Sequence, residues 1–168
     1  MKAMMLTLFA SAISILAIGQ TDKLYKHDGE TQDVKIVKVN EFTISYTFPG
    51  ESAEQMIGKY AVAKIGYASG RSEQISEKIS VSSAADWEKV VIIEDKGALL
   101  GLKKLGEVRG KTSGLMGFHT AGSADKKSMK KLKEAAAEMG ANFVLITAEK
   151  DNQWTTQSIK RGFGYSYK

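Results

Sequence analysis

Hydrophobic and polar residues alternate with a period of two along residues 21–76, as in strands that bury one face. Runs of this kind occur at residues 24–25, 34–39, 42–46, 53–57, 61–67 and 71–75. Three turn signals separate several of these runs: Asp28-Gly29, Pro49-Gly50 and Ser69-Gly70. We therefore predict a small all-β module at residues 20–82, an antiparallel β-meander or small barrel of five or six short strands.

A period of 3.6 replaces the period of two after residue 122, which predicts an amphipathic helix. Small and apolar side chains at helical spacing would form its buried face: Met129, Leu132, Ala135, Ala136 and Met139. Ser123 or Asp125 is the candidate N-cap, and Gly140 stands where a helix commonly ends in a left-handed residue. The β-prone run at residues 143–146 follows at once and predicts a buried strand.

Shorter elements are predicted around that helix. Strands fit residues 90–93, 102–108 and 159–167, a turn or single helical turn fits residues 96–100, and a glycine-rich loop fits residues 110–122. Phe163, Tyr165 and Tyr167 would share one face of the last strand, either in the sheet core or at an exposed edge or subunit contact.

The order β-β-α-β-β predicts an α+β domain at residues 83–168, with one main helix packed on a sheet. The stretch at residues 76–86 is polar and rich in small residues, so we place the link between the two modules there, with the boundary near Ser82.

Residues 1–19 form an apolar run with one basic residue, Lys2, and end in the small residues Ala17 and Gly19. This pattern is typical of a signal peptide, and we expect cleavage before Gln20; the alternative is a retained membrane anchor. The chain has no cysteine, so the residue that carries a lipoprotein's lipid is missing and no disulfide can form. The sequence therefore predicts a periplasmic or secreted protein that is not a lipoprotein and has no transmembrane segment after cleavage.

The charge of the chain is modestly positive. Removal of the leader would lower Lys+Arg from 24 to 23 against 19 acidic residues, and the net charge from +5 to +4. Together with export, this modest excess argues against nucleic acid as a partner and leaves a weak attraction to anionic envelope surfaces.

Small residues recur at three places in the second module: Gly106, Val108 and Gly110, then Ala136, Gly140, Ala141 and Asn142, then Gly162, Gly164 and Tyr165. In this arrangement residues 87–168 resemble a bacterial family of small α+β domains that is named for heavy-metal binding. The helix and its following strand are also similar to the outer-membrane stress-sensor lipoprotein of the Rcs phosphorelay. That sensor's lipidated and disulfide-forming cysteines have no counterpart here. The resemblance implies a small α+β domain, often oligomeric, without established catalysis.

The N-terminal part resembles β-modules of uncharacterised exported bacterial proteins, and this resemblance names no activity.

The most function-like feature is a cluster of five lysines within eight residues of the predicted helix: Lys126, Lys127, Lys130, Lys131 and Lys133. Such a cluster could bind an anionic lipid or polysaccharide surface. The alternative is a solvated helix face.

The glycine-rich loop holds the other polar candidates, and Lys111, Thr112, Ser113 and His119 are its candidate ligand-binding side chains. The segment from Gly106 to Gly110 leaves three residues between the glycines where a phosphate-binding loop has four. His119 has no His or Cys partner in the loop for a metal, and the chain has no nucleophile elbow. We therefore predict no catalytic residue, no metal site and no cofactor.

The sequence predicts an exported, non-enzymatic envelope protein that acts as a binding, sensing or assembly module. Its expected partner is an unknown envelope protein or an anionic envelope surface, and a homo-oligomer is a further expectation. The first alternative is a small-ligand- or metal-binding protein that uses the loop at residues 110–122. The second is an enzyme of unknown class.

Overall fold

A computed structural model of the chain describes residues 21–112, 121–152 and 157–167. Within these ranges a six-stranded antiparallel sheet is followed by a mixed four-stranded sheet, on which one main helix packs. The predicted α+β fold class is thus confirmed. The predicted signal peptide at residues 1–19 and most of the predicted loop lie outside the described residues.

The first sheet consists of β1 (Asp22–Lys26), β2 (Thr31–Val39), β3 (Thr43–Thr47), β4 (Glu54–Gly58), β5 (Val62–Gly66) and β6 (Ser72–Gln74). Their order across the sheet is β4-β3-β2-β1-β5-β6, and every neighbouring pair is antiparallel. The predicted meander is present from β1 to β4, and β5 then returns to lie beside β1. All three predicted turns contain a left-handed glycine.

The connection between β4 and β5 indicates that this sheet is strongly rolled. In a flat sheet these two strands would lie about 19 Å apart, four spacings of about 4.8 Å. The chain joins them through one 3-10 turn, Lys59–Ala61, which rises only about 2 Å per residue. A bulge in β2 between Ile36 and Lys38 permits part of this bend. The rolled interior is filled by buried apolar side chains: Leu24, Val34, Ile44, Ile57, Val62 and Ile65.

The second sheet consists of β7 (Val91–Ile93), β8 (Lys103–Lys111), β9 (Phe143–Asn152) and β10 (Gln157–Ser166), in the order β7-β9-β10-β8. β7 is parallel to β9, and the other pairs are antiparallel. The main helix, α1 (Ala121–Glu138), lies between β8 and β9 along the chain. Two ends of the predicted loop are therefore wrong: Gly110 and Lys111 belong to β8, and Ala121 and Gly122 belong to α1.

The N-terminal end of α1 differs from the prediction. Ser123 and Asp125 both lie inside the helix, so neither is its N-cap. The helix continues upstream of these residues, and the Asp125 carboxylate is engaged in an ion pair with β10.

The C-terminal end of α1 is as predicted. Gly140 has a φ of +76°, and its N–H donates to the Ala137 carbonyl at 3.0 Å. The N–H of Ala141 donates to the Ala136 carbonyl at 2.9 Å. These two bonds satisfy carbonyls that the helix end would otherwise leave unpaired, in the arrangement of a Schellman motif.

The buried face of α1 consists of small residues around one leucine: Ala124, Ser128, Leu132, Ala136 and Ala137. Met139, predicted for this face, is 41% exposed. Its thioether still reaches toward the sheet, because the sulfur and methyl group both lie 3.4 Å from where a Cβ would stand at Gly106.

The helix lies close to the sheet because the residues beneath it are small. A Cβ at Gly110 would overlap the carbonyl oxygen of Ser128 in α1, and a Cβ at Gly164 would stand 2.9 Å from the Cβ of Ala141. Along β10, buried residues alternate with side chains that point to the opposite face of the sheet. Gly110 and Gly164, two of the glycines on which the family resemblance depended, therefore have a packing role.

The opposite face of the second sheet packs against the first module. The Phe143 ring contacts the rings of Tyr60 and Tyr167, with centroid distances of 5.0 and 5.5 Å. The connecting segment is fixed there too: the N–H of Ile79 donates to the Tyr167 hydroxyl at 3.0 Å, and the Asn142 amide donates to the Ile79 carbonyl at 3.0 Å. We call this contact, made by Tyr60, Ile79, Phe143 and Tyr167, the module junction.

Candidate functional site

The predicted lysine cluster lies on the solvent side of α1. Lys126, Lys127, Lys130 and Lys131 are exposed and Lys133 is half-buried, and we call these five residues the lysine face. The ammonium of Lys130 is 3.7 Å from the Glu134 carboxylate, an i,i+4 pair in which both side chains are solvated. Such a pair contributes only a few tenths of a kcal/mol, so water or an anionic surface can readily compete for the lysine.

A tryptophan stands beside the lysine face. The 3-10 helix Ala84–Lys89 packs on α1, and its Trp87 is half-buried against the core beneath. The Lys130 ammonium lies 5.1 Å from the centroid of the Trp87 ring. An indole ring next to cations suits a boundary between water and an apolar phase, because its body is apolar and its N–H is polar.

The structure describes two of the four loop candidates. Lys111 is exposed at the end of β8. Thr112 is buried: its hydroxyl donates to the Ser158 carbonyl at 3.3 Å and accepts from the Ser158 N–H at 2.9 Å. Thr112 thus continues the pairing of β8 with β10. Ser113 and His119 lie outside the described residues, so the ligand-loop alternative stays a prediction.

A buried lysine beneath α1 was not predicted from the sequence. Lys160 points from β10 toward the helix and its side chain is 3% exposed. Its ammonium lies 2.7 Å from the Asp125 carboxylate of α1 and 3.0 Å from the Glu149 carboxylate of β9. Burial alone would lower the pKa of Lys160, but the hydrogen bonds and charges of these two carboxylates outweigh it and raise the pKa above 10.5. This ion pair therefore fixes the position of the helix that carries the lysine face.

The pattern of β10 held a signal for this residue. Small residues occupy alternate positions on the helix side of the strand, namely Ser158, Gly162, Gly164 and Ser166. Lys160 falls in the same register and is the one long side chain among them. Its position on the helix side indicates that it is buried and needs an acidic partner.

A hydroxyl pair lies next to the buried lysine. Ser128 donates its hydroxyl proton to the Asp125 carbonyl at 2.8 Å, so the Ser158 hydroxyl, 2.7 Å away, donates to Ser128. Both serines are buried, and this bonding satisfies them without a ligand.

His27 and Ser76 form the one histidine–serine contact in the part of the chain that the structure describes. Ser76 donates its proton to the Val62 carbonyl at 2.8 Å, so it accepts the hydrogen bond from His27 Nε2, also at 2.8 Å. A serine nucleophile would instead donate its proton to the histidine. The His27 ring also packs on Tyr167, at 4.9 Å between centroids, so it lies next to the module junction.

His27 is expected to make the protein less stable in mild acid. Burial, and then the charge of Lys78, lowers the pKa of His27 below 6.5; Asp28, Ser76 and Tyr167 are its other polar neighbours. The unfolded chain takes up the proton more readily, so stability is complete above about pH 6.5 and falls as the pH drops below it. Urea unfolding between about pH 7 and about pH 5 measures this loss.

His27→Gln tests this assignment, and His119→Gln is its control because it removes the other of the two histidines of the chain. The pH dependence should shrink in the first and persist in the second. An unchanged pH dependence in His27→Gln would contradict the assignment.

No three His, Cys, Asp or Glu residues among those described lie together in a way that could hold a metal ion. No helix within the described ranges is both long and apolar enough to cross a membrane.

Comparison of the chain with protein-family models, with curated proteins and with solved structures finds no match. The resemblances seen in the sequence therefore stay predictions.

Proposed function

We propose that this protein is an exported, non-enzymatic binding module of the cell envelope, and that its lysine face binds an anionic membrane surface. The observation that carries the proposal is the outward position of these lysines on a helix that a buried ion pair ties to the sheet. The export step rests on the leader pattern of residues 1–19.

The spacing of the lysine face suits a charged surface better than a single small anion. Lys126 and Lys133 are seven residues apart, or about 10 Å along the helix axis. This distance is close to the screening length of about 8 Å at physiological salt, so the charges act together on a surface. Trp87, beside Lys130, gives the same face an aromatic side chain of the kind that lies at headgroup level.

The non-enzymatic part of the proposal is supported by the hydrogen bonds at His27. The Ser76 proton is directed to the Val62 carbonyl, so the histidine does not act as a base toward this hydroxyl.

Charge reversal of the lysine face should abolish binding to anionic vesicles. Each lysine near an anionic bilayer contributes roughly 1 kcal/mol, so the triple variant Lys126→Glu, Lys127→Glu, Lys130→Glu should bind at least about 100-fold more weakly. Co-sedimentation with vesicles that contain phosphatidylglycerol measures this. Binding of the unmodified protein should also weaken as salt rises from about 0.1 M to about 1 M.

The matched control instead reverses the charge of three exposed lysines of the first sheet, Lys35, Lys38 and Lys64. Reversal of these lysines changes the net charge equally and should leave most of the binding intact. An equal loss in both triple variants would mean that net charge alone causes the attraction. Absence of binding by the unmodified protein would refute a membrane surface as the partner.

A further inference from the structure

A groove of about 400 Å³ opens on the side of the second sheet that faces away from α1. Its walls come from the 3-10 turn Lys96–Leu99 and from strands β8, β9 and β10. The lining side chains are Lys96, Leu99, Leu100, Lys104, Leu145, Thr147, Phe163 and Tyr165. The groove is separate from the lysine face, because the sheet stands between them.

The wall formed by the 3-10 turn is held at both ends. The Asp95 carboxylate accepts a hydrogen bond from the Gly97 N–H at 2.6 Å, which caps the start of the turn. After the turn, the Leu100 carbonyl accepts from the Gly58 N–H of β4 at 2.8 Å. The 3-10 turn also has no room to shift toward β4, since a Cβ at Gly58 would overlap the Ala98 carbonyl oxygen. Contact with the first module therefore holds this wall of the groove in place.

The floor of the groove is apolar. Leu145 and Phe163 are directly paired across β9 and β10, so their side chains share one face. Leu145 is buried, whereas Phe163 and Tyr165 are only partly covered, and Leu100 is 39% exposed at the rim. A ligand with an apolar body would bury the surface that these side chains leave in contact with water.

Two lysines give the groove a positive rim. The Lys104 ammonium lies 3.3 Å from the centroid of the Phe163 ring, which holds this cation directly above the floor. Lys96 is exposed at the start of the 3-10 turn. No carboxylate among the described residues forms an ion pair with either lysine. An anion in the groove would thus meet two cations that have no acidic partner within the described residues.

We infer that this groove binds an amphipathic organic anion, a compact aromatic or branched apolar body that carries one phosphate or carboxylate. Charge complementarity selects the anionic group, and the partly exposed Phe163, Tyr165 and Leu100 select the apolar body. The volume is that of a small-molecule site and is too small for a folded partner. This activity is independent of membrane binding by the lysine face.

Three matched probes test the inference: 1-naphthyl phosphate, 1-naphthoate and the neutral 1-naphthalenemethanol. Amide chemical shifts of the labelled protein, followed during titration, should show saturable binding of at least one anion. The moving signals should come from residues 96–100, 104, 145–147 and 163–165. The neutral alcohol should bind at least about tenfold more weakly. The anion that binds more tightly shows whether the groove prefers a phosphate or a carboxylate.

The variants Lys96→Gln and Lys104→Gln should each weaken the better anion about three- to tenfold, with no change in the melting midpoint because both side chains are exposed. A Lys126→Gln, Lys127→Gln, Lys131→Gln variant, altered only on the lysine face, should bind the probe as the unmodified protein does. Absence of saturable binding, equal affinity for the alcohol, or shifts confined to other residues would each overturn the inference.

Discussion

Replacing Gly110 with alanine is expected to destabilise the second module by about 3 kcal/mol or more. The added Cβ would overlap the Ser128 carbonyl oxygen and stand 2.7 Å from the Leu132 nitrogen. Both are backbone atoms of α1, so no side chain can rotate away, and relief requires the whole helix to rise from β8. Since Leu132 is fully buried on the inner face of that helix, the shift would also open the core.

The matched control for this variant is Gly106→Ala in the same strand. A Cβ at Gly106 would meet only the flexible end of Met139, at 3.4 Å. Urea unfolding should therefore show a large loss for Gly110→Ala and a small change for Gly106→Ala. Similar losses in both variants would refute the close approach of α1 at Gly110.

Replacing Phe143 with alanine is expected to cost about 3–5 kcal/mol, the usual range for a fully buried phenylalanine. The Phe143 ring contacts Tyr60 of the first module and Tyr167 of the second, so its removal leaves a cavity at the module junction. For a chain of 168 residues, this loss should lower the melting midpoint by roughly 10 °C.

Calorimetry can also show how the junction couples the two modules. The unmodified protein should unfold in one transition, and Phe143→Ala should lower that transition or divide it into two. Phe42→Ala is the control of equal chemistry, because Phe42 is 43% exposed and should change the midpoint little. A midpoint in Phe143→Ala that matches the control would contradict a shared core between the modules.

Local patterns predicted the elements of this fold well. The period of two at residues 34–39 and 42–46 is confirmed as β2 and β3, because alternate side chains enter the rolled interior. Gly140 ends α1 as predicted, since only the residue itself and its nearest backbone partners decide that conformation. Both features depend on neighbours in sequence.

The predictions from sequence were wrong or incomplete where residues far apart in the chain determine the structure. Ser123 and Asp125 carry ordinary capping side chains, yet α1 already includes them, and Asp125 pairs instead with Lys160 from β10. The neighbour of β5 was also hidden, because β1 lies far from it along the chain. Secondary-structure propensity reflects a residue and its near neighbours in the chain. It does not indicate which distant strand will pack against them.

The candidate sites divide in the same way. The lysine face was visible in the sequence, because five lysines on one helix need only helical periodicity to share a surface. The groove was not visible: Lys96, Lys104 and Phe163 come from three separate elements of the second module and meet only when these elements pack together.

By itself, then, the sequence determined the α+β class, the strands, the main helix with its C-terminal end, the absence of disulfides and the lysine face. These follow from periodicity and composition, which act over a few residues. The tertiary structure alone decided the rolled strand order, the buried Lys160 ion pair, the module junction and the groove. Each of these depends on pairings between residues far apart in the chain, whose geometry is fixed only when the two sheets and the helix pack together.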